Sequence, residues 1–128
     1  MSAQRNAPDH TRPYDLKART KQFALRTIRL VEALPKTNTG GVIGRQLLRA
    51  GTSVGANCRA AHRGRSRAEF LAKMGIVEEE LDECLYWMEL LVETGAVAKE
   101  RLHPLLKEAD ELTAIVVTCI KRTKANKG

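Results

Sequence analysis

Aromatic residues are scarce. Two Phe, two Tyr and one Trp make up 4% of the 128 residues, which removes the usual material of β-rich cores and of surfaces that stack unpaired bases. Only three cysteines occur, Cys58, Cys84 and Cys119, and no two form a CxxC pair. Each falls on an apolar stripe and reads as a small buried hydrophobe rather than half of a disulfide or a zinc ligand. No apolar run approaches the roughly 18 residues that a membrane-spanning helix needs. Met1 to Pro13 is polar and lacks the apolar centre of a signal peptide. A cytoplasmic protein with no membrane partner is the expectation. A phosphate loop is also missing, because Thr39-Gly40-Gly41-Val42-Ile43-Gly44 has neither the lysine nor the preceding strand that such a loop requires.

What is present points to helices. The chain is 43% hydrophobic, enough for one domain with a real core, and that apolar content comes mostly from Leu, Val, Ile and Ala. The clearest element follows Ser66-Arg67-Ala68-Glu69, a capping box placed directly before an apolar run. From there Phe70, Met74, Val77, Leu81, Cys84, Met88 and Leu91 alternate steps of four and three, a heptad seam. Gly95 is the expected stop. Upstream, Leu16, Phe23, Leu30 and Leu34, filled in by Thr27 and Val31, mark a first helix stopped by Pro35, with Asp15 as its cap. Downstream, Leu102, Leu105, Ala109, Leu112, Val116 and Cys119 mark a last helix, with Pro104 expected in its first turn.

Between the first helix and the heptad lies a stretch of small residues. Gly51, Ser53, Gly55, Ala56, Ala60 and Ala61 crowd into about three turns of helix, with Gly64 as the expected residue just past its end. Two glycines inside a helix each cost roughly 1 kcal/mol against alanine, and close approach of another backbone is the usual offset. The expectation is a tight seam against the heptad helix. At 100° per residue Arg45, Arg49, Thr52, Ala56, Arg59 and Arg63 share the opposite side. This arginine rail is either a solvated face or a binding surface. Ile76 and Trp87 lie off the heptad seam and Leu90 further round. A tryptophan there is partly covered surface or an oligomer contact. The expected organisation is an N-terminal arm over 1–13, an all-α, antiparallel up-down-up-down four-helix bundle over 14–124 with helices near 15–34, 42–63, 67–95 and 100–124, and a basic tail over 125–128.

Charge narrows the functional classes. The net charge is +7, but residues 1–65 hold 13 Lys/Arg against 3 Asp/Glu, while residues 66–98 hold 2 against 8. Such asymmetry suits an acidic partner or complementary subunits. Lys21, Arg26, Arg29, Arg45, Arg49, Arg59, Arg63 and Arg65 are the candidate contacts to RNA or DNA phosphates, a mode that needs no aromatics. Catalytic chemistry finds no constellation. Glu100-Arg101-Leu102-His103 matches one metal-binding motif of di-metal bundles but has no second copy. In and beyond the acidic run Glu78 to Glu83, the seam takes Leu81 and Cys84 inward and leaves Glu79, Asp82, Glu83, Glu89 and Glu93 on the opposite, polar arc. Cys58 and His62 lack a third, orienting residue. No metal, no cofactor and no enzymatic activity are expected.

The segments Leu48-Arg49-Ala50-Gly51-Thr52-Ser53-Val54-Gly55-Ala56-Asn57, Arg63 to Phe70 and Tyr86-Trp87-Met88-Glu89-Leu90-Leu91 resemble the bacterial four-helix bundle proteins encoded in ribosomal RNA intervening sequences. The Leu34-Pro35 stop and Glu108-Ala109-Asp110-Glu111-Leu112 fit as well, so the likeness runs from about Asp15 to Lys124. The accessory variability protein of diversity-generating retroelements belongs to the same superfamily. The resemblance implies a non-enzymatic, cytoplasmic bundle that assembles as a homo-oligomeric ring, typically a pentamer. It also implies a positive surface for RNA or DNA and, in some members, a reverse transcriptase as protein partner. Where many members read Asn-Ile-Ala-Glu-Gly, this chain has Asn57-Cys58-Arg59-Ala60-Ala61. The glutamate is replaced and the face becomes more basic.

Overall fold

The computed structural model describes residues 13–126. Residues 1–12 of the expected N-terminal arm, the last two residues of the basic tail and the Asp15 side chain that was expected to cap the first helix lie outside them, while Pro13, expected in the arm, already belongs to the first helix. Four helices follow one another: α1 (Pro13–Glu32), α2 (Asn38–His62), α3 (Arg67–Glu93) and α4 (Lys99–Ala125). Each packs on two neighbours, α1 on α2, α2 on α3 and α3 on α4, and α4 closes back onto α1. The result is the all-α, up-down-up-down bundle. Its core is the predicted stripes in register: Leu16 and Phe23, Leu47 and Val54, the α3 heptad from Met74 to Leu91, and Leu102, Leu112 and Val116 are all essentially inaccessible to solvent. Burying a leucine- or phenylalanine-sized side chain contributes roughly 1.5–3 kcal/mol, so this shared seam dominates the stability of the fold.

The helix ends show how the local sequence sets the boundaries. α1 stops at Glu32 rather than Leu34, because Ala33 and Leu34 bond back only three residues, to Leu30 and Val31, and a residue before proline disfavours helical backbone. α2 starts at Asn38, four residues before the expected Val42. Thr37 caps it, its Oγ1 accepting from the Gly40 amide at 3.0 Å. A Cβ on Gly40 would lie 2.4 Å from the Pro35 carbonyl oxygen, so this glycine is a packing requirement of the helix start. Ser66 caps α3 as the box predicted, accepting from Glu69 N at 3.1 Å. The Glu69 carboxylate reaches back to the amide of Arg65 at 2.8 Å, one residue before the cap. Gly95, at φ 79, ends α3 in the left-handed conformation.

Gly64 stands just past the Arg63 cap of α2, as expected; its φ is not positive, and it is small because a Cβ would approach the Ala61 oxygen at 3.1 Å. Two expectations need correction. Pro104 is the sixth residue of α4, in the second turn, where its missing N–H forfeits the bond to the exposed Glu100. The small-residue face of α2 also turns to a different neighbour. A Cβ on Gly51 would sit 2.7 Å from Cγ2 of Thr27, and one on Gly55 3.3 Å from the Thr20 carbonyl oxygen. The close approach that these two glycines serve is therefore with α1, while α2 and α3 pack extensively along the heptad core. Glycine spacing reveals that some backbone comes close, but not which one.

Candidate nucleic-acid interface

Close approach of α1 and α2 builds a basic groove on the described surface. Where Gly55 lets the backbones meet, the helices form an open groove of about 750 Å³. Ala18, Ala24, Gly55 and Ala56 line it with small residues, and Lys17 and Lys21 from α1 face Arg59 and Arg63 from α2 across it. Among the described residues no acidic side chain lines the groove. Each helix supplies its cations four residues apart, which places them on one side of the helix one turn apart. Among the described residues none of the four makes an ion pair. Four positive charges that share a groove repel one another, and that repulsion is relieved by an anion chain laid between them.

The remaining candidate cations separate into distinct places. Arg49 is held across the α2–α3 interface, with NH1 3.3 Å from Glu80 and NH2 on Glu83. It is half exposed, yet its guanidinium is committed to two carboxylates. Arg49 therefore interrupts the arginine rail with an ion pair, and it does not line the groove. Arg45 stands above this break, over the start of α2, in a notch that also holds Lys36 and Thr37. Arg26 and Arg29 lie on the other side of α1, against α4 and Arg101. Arg65 sits exposed in the α2–α3 turn. The sequence-based set omitted Lys17 and Arg101; the four-residue spacing of Lys17 and Lys21 was the available signal for the first.

Acids and cysteines are used structurally. Arg19 is almost buried, and its guanidinium donates to Glu108 at 2.6 Å and to Glu111 at 3.1 Å, stapling α1 to α4. The hydrogen bond to Glu108 holds the Arg19 pKa above its ordinary value. Burial pushes the Cys84 thiol up to about 12, with Glu80 and Glu83 adding to it, and burial likewise raises Cys58 and Cys119. Cys119 is only partly covered, a departure from the expected buried thiol. His62 directs Nδ1 at the Cys58 carbonyl at 2.8 Å and meets Phe70 edge-on, so the pair is a helix-end contact. Among the described residues no three His, Cys, Asp or Glu side chains are grouped so as to hold a metal ion, and no helix is long and apolar enough to cross a membrane.

On α3, Ile76, Trp87 and Leu90 are all half-buried. Trp87 and Leu90 rest on the core, whereas Ile76 does not. The Trp87 indole N–H points at Glu83 at 3.4 Å, and its ring meets Tyr86 edge-on at 5.1 Å. Tyr86 itself is 53% exposed.

Comparison with known proteins agrees with this architecture. The family model described as 23S rRNA-intervening sequence protein matches residues 13–118. A crystal structure of a protein with unknown function from the S23 ribosomal protein family of Bacteroides thetaiotaomicron superposes with a TM-score of 0.80. The two are 33% identical over 85% of this chain and 97% of that one. No curated protein gives a significant match.

Proposed function

The chain belongs to the 23S rRNA-intervening sequence protein family, and from that premise we propose that it is a non-enzymatic bundle that binds the sugar–phosphate backbone of RNA or DNA in the α1–α2 groove. The observation that carries this is the convergence of Lys17, Lys21, Arg59 and Arg63 on a small-residue floor with no acid among them. The small floor lets a backbone approach closely. Among the described residues no aromatic lines the groove, which disfavours base stacking, so recognition is by charge and shape rather than by sequence. Structured RNA is the first probe, in keeping with the family description. The bundle functions as a homo-oligomer, with a pentameric ring as the proposed assembly, and Ile76, Trp87 and Leu90 form the contact between subunits. A half-buried tryptophan on the same helix as the half-buried aliphatics Ile76 and Leu90 is the composition of an interface core.

Fluorescence anisotropy with labelled RNA and DNA duplexes tests the groove. Lys21→Ala plus Arg59→Ala lowers affinity at least tenfold, while Arg49→Ala, already paired to glutamates, changes it less than twofold. Equal loss from both variants would place the contact along the whole rail instead. Retention of a protein such as a reverse transcriptase after nuclease treatment, with no nucleic acid bound, would replace this reading by a protein-docking role.

A further inference from the structure

The same helix, α1, walls a second basic notch on its other side. Arg26 and Arg29 of α1 and Arg101 of α4 line a cleft of about 220 Å³ over Leu30, Leu102 and Leu105. Among the described residues none of these three arginines makes an ion pair, and no acid lines the cleft. The contrast lies along the same interface. Where α1 and α4 are stapled, Arg19 is answered by Glu108 and Glu111; two turns along α1 the sequence gathers three guanidinium groups and supplies no carboxylate. Glu100, the neighbouring acid on α4, is exposed and stands outside the cleft. The N-terminal turn of α4, capped by Ala98 without a side-chain bond, adds the positive end of a helix dipole beside Arg101.

The cleft does not extend the groove. At 100° and 1.5 Å per residue, the Lys17/Lys21 pair and the Arg26/Arg29 pair point roughly 130° apart around α1, with centres about 13 Å apart along its axis. A straight duplex lying in the groove leaves the arginine cleft facing elsewhere. Guanidinium groups bind phosphate oxygens in bidentate fashion, which suits a short, local contact better than a long lysine track.

We propose that Arg26, Arg29 and Arg101 form a second phosphate-binding site that holds a separate nucleic-acid segment, so that one chain bridges two segments on opposite sides of α1. This rests on the groove reading above and adds a second site and a bridging activity to it. The test uses short RNA duplexes, one batch carrying a donor dye and the other an acceptor, with stoichiometry measured by titration calorimetry. The wild type takes two duplexes per chain and brings donor and acceptor together. Arg26→Gln/Arg29→Gln/Arg101→Gln takes one per chain and loses energy transfer at least fivefold, with affinity for the first duplex within twofold. Lys21→Ala/Arg59→Ala loses the first duplex and keeps the second. These surface glutamine substitutions leave the helical signal and melting temperature close to wild type. Wild-type binding of a single duplex per chain, or undiminished transfer in the arginine variant, overturns the second site alone. Failure of the wild type to bind any duplex overturns both readings.

Discussion

Replacing Gly51 by alanine probes the contact that shapes the groove. A methyl there would lie 2.7 Å from Thr27 Cγ2 and 2.9 Å from Oγ1, both closer than real Cβ atoms approach, and 3.0 Å from Cβ, at the tight end of real contacts. Thr27 cannot swing aside cheaply: it is wholly buried, its χ1 is restricted by β-branching, and its hydroxyl donates to the Phe23 carbonyl at 2.8 Å. Overpacking of this kind costs about 1–3 kcal/mol, and the rigid partner argues for the upper half. Alanine returns roughly 1 kcal/mol of helix propensity. The net is a destabilisation of about 1–2 kcal/mol, or a fall in melting temperature on the order of 4–8 °C for a chain of this size. Gly75→Ala is the matched control, since nothing lies within 4 Å of its Cβ position; it stabilises by up to about 1 kcal/mol. Adding Thr27→Ala to Gly51→Ala recovers part of the loss, although the two Cβ atoms remain tight. Thermal and urea unfolding by circular dichroism at one fixed protein concentration reads all four proteins. A Gly51→Ala protein that melts at or above the wild type would refute the close α1–α2 seam.

Further outcomes follow from other contacts. Ser66→Ala removes the cap on α3 and costs about 1 kcal/mol in urea unfolding, with no effect on duplex affinity. Arg49→Ala releases a pair that faces solvent and costs less than about 1 kcal/mol; a larger loss would mean that the Glu80–Glu83 clamp is better shielded than its exposure indicates. Cys84 has its folded pKa raised to about 12 from an ordinary 9.0, so the folded state holds its proton longer than the unfolded state. Its contribution is intact below about pH 9 and is lost as pH rises toward about 12, a loss of roughly 4 kcal/mol that Cys84→Ala does not show in alkaline unfolding. Native-state alkylation modifies partly covered Cys119 before Cys58 or Cys84. Trp87→Glu lowers the oligomer mass seen by light scattering while leaving the helical signal unchanged.

Periodicity carried the architecture. In α3 each of Met74, Val77, Leu81, Cys84, Met88 and Leu91 is fully buried, because steps of three and four leave a helix one side to hide. The capping box fixed its start for the same reason: both partners are local. Pairing between helices was less legible. A projection gives the angle of Arg49 on α2, but the acids that claim it, Glu80 and Glu83, sit 31 and 34 residues away. Likewise Lys21 and Arg26 belong to one helix and one charge class, yet α2 takes one side and α4 the other. α2 starts at Asn38 rather than near 42 because Gly40 and Gly41, poor helix formers by propensity, are helical here, Gly40 being small to clear the Pro35 carbonyl. Local rules set elements; which helix lies alongside which decides the site.

The most direct test of the groove is the salt dependence of duplex binding. Four phosphate contacts predict a slope of log Kobs against log salt of about −3 to −4 for the groove with a double-stranded probe. Measured with protein whose arginine cleft carries the three glutamine substitutions, wild-type Lys21 and Arg59 give that slope, and Lys21→Ala/Arg59→Ala makes it shallower by about 2. A slope near zero, or one that the two substitutions leave unchanged, contradicts phosphate binding between α1 and α2.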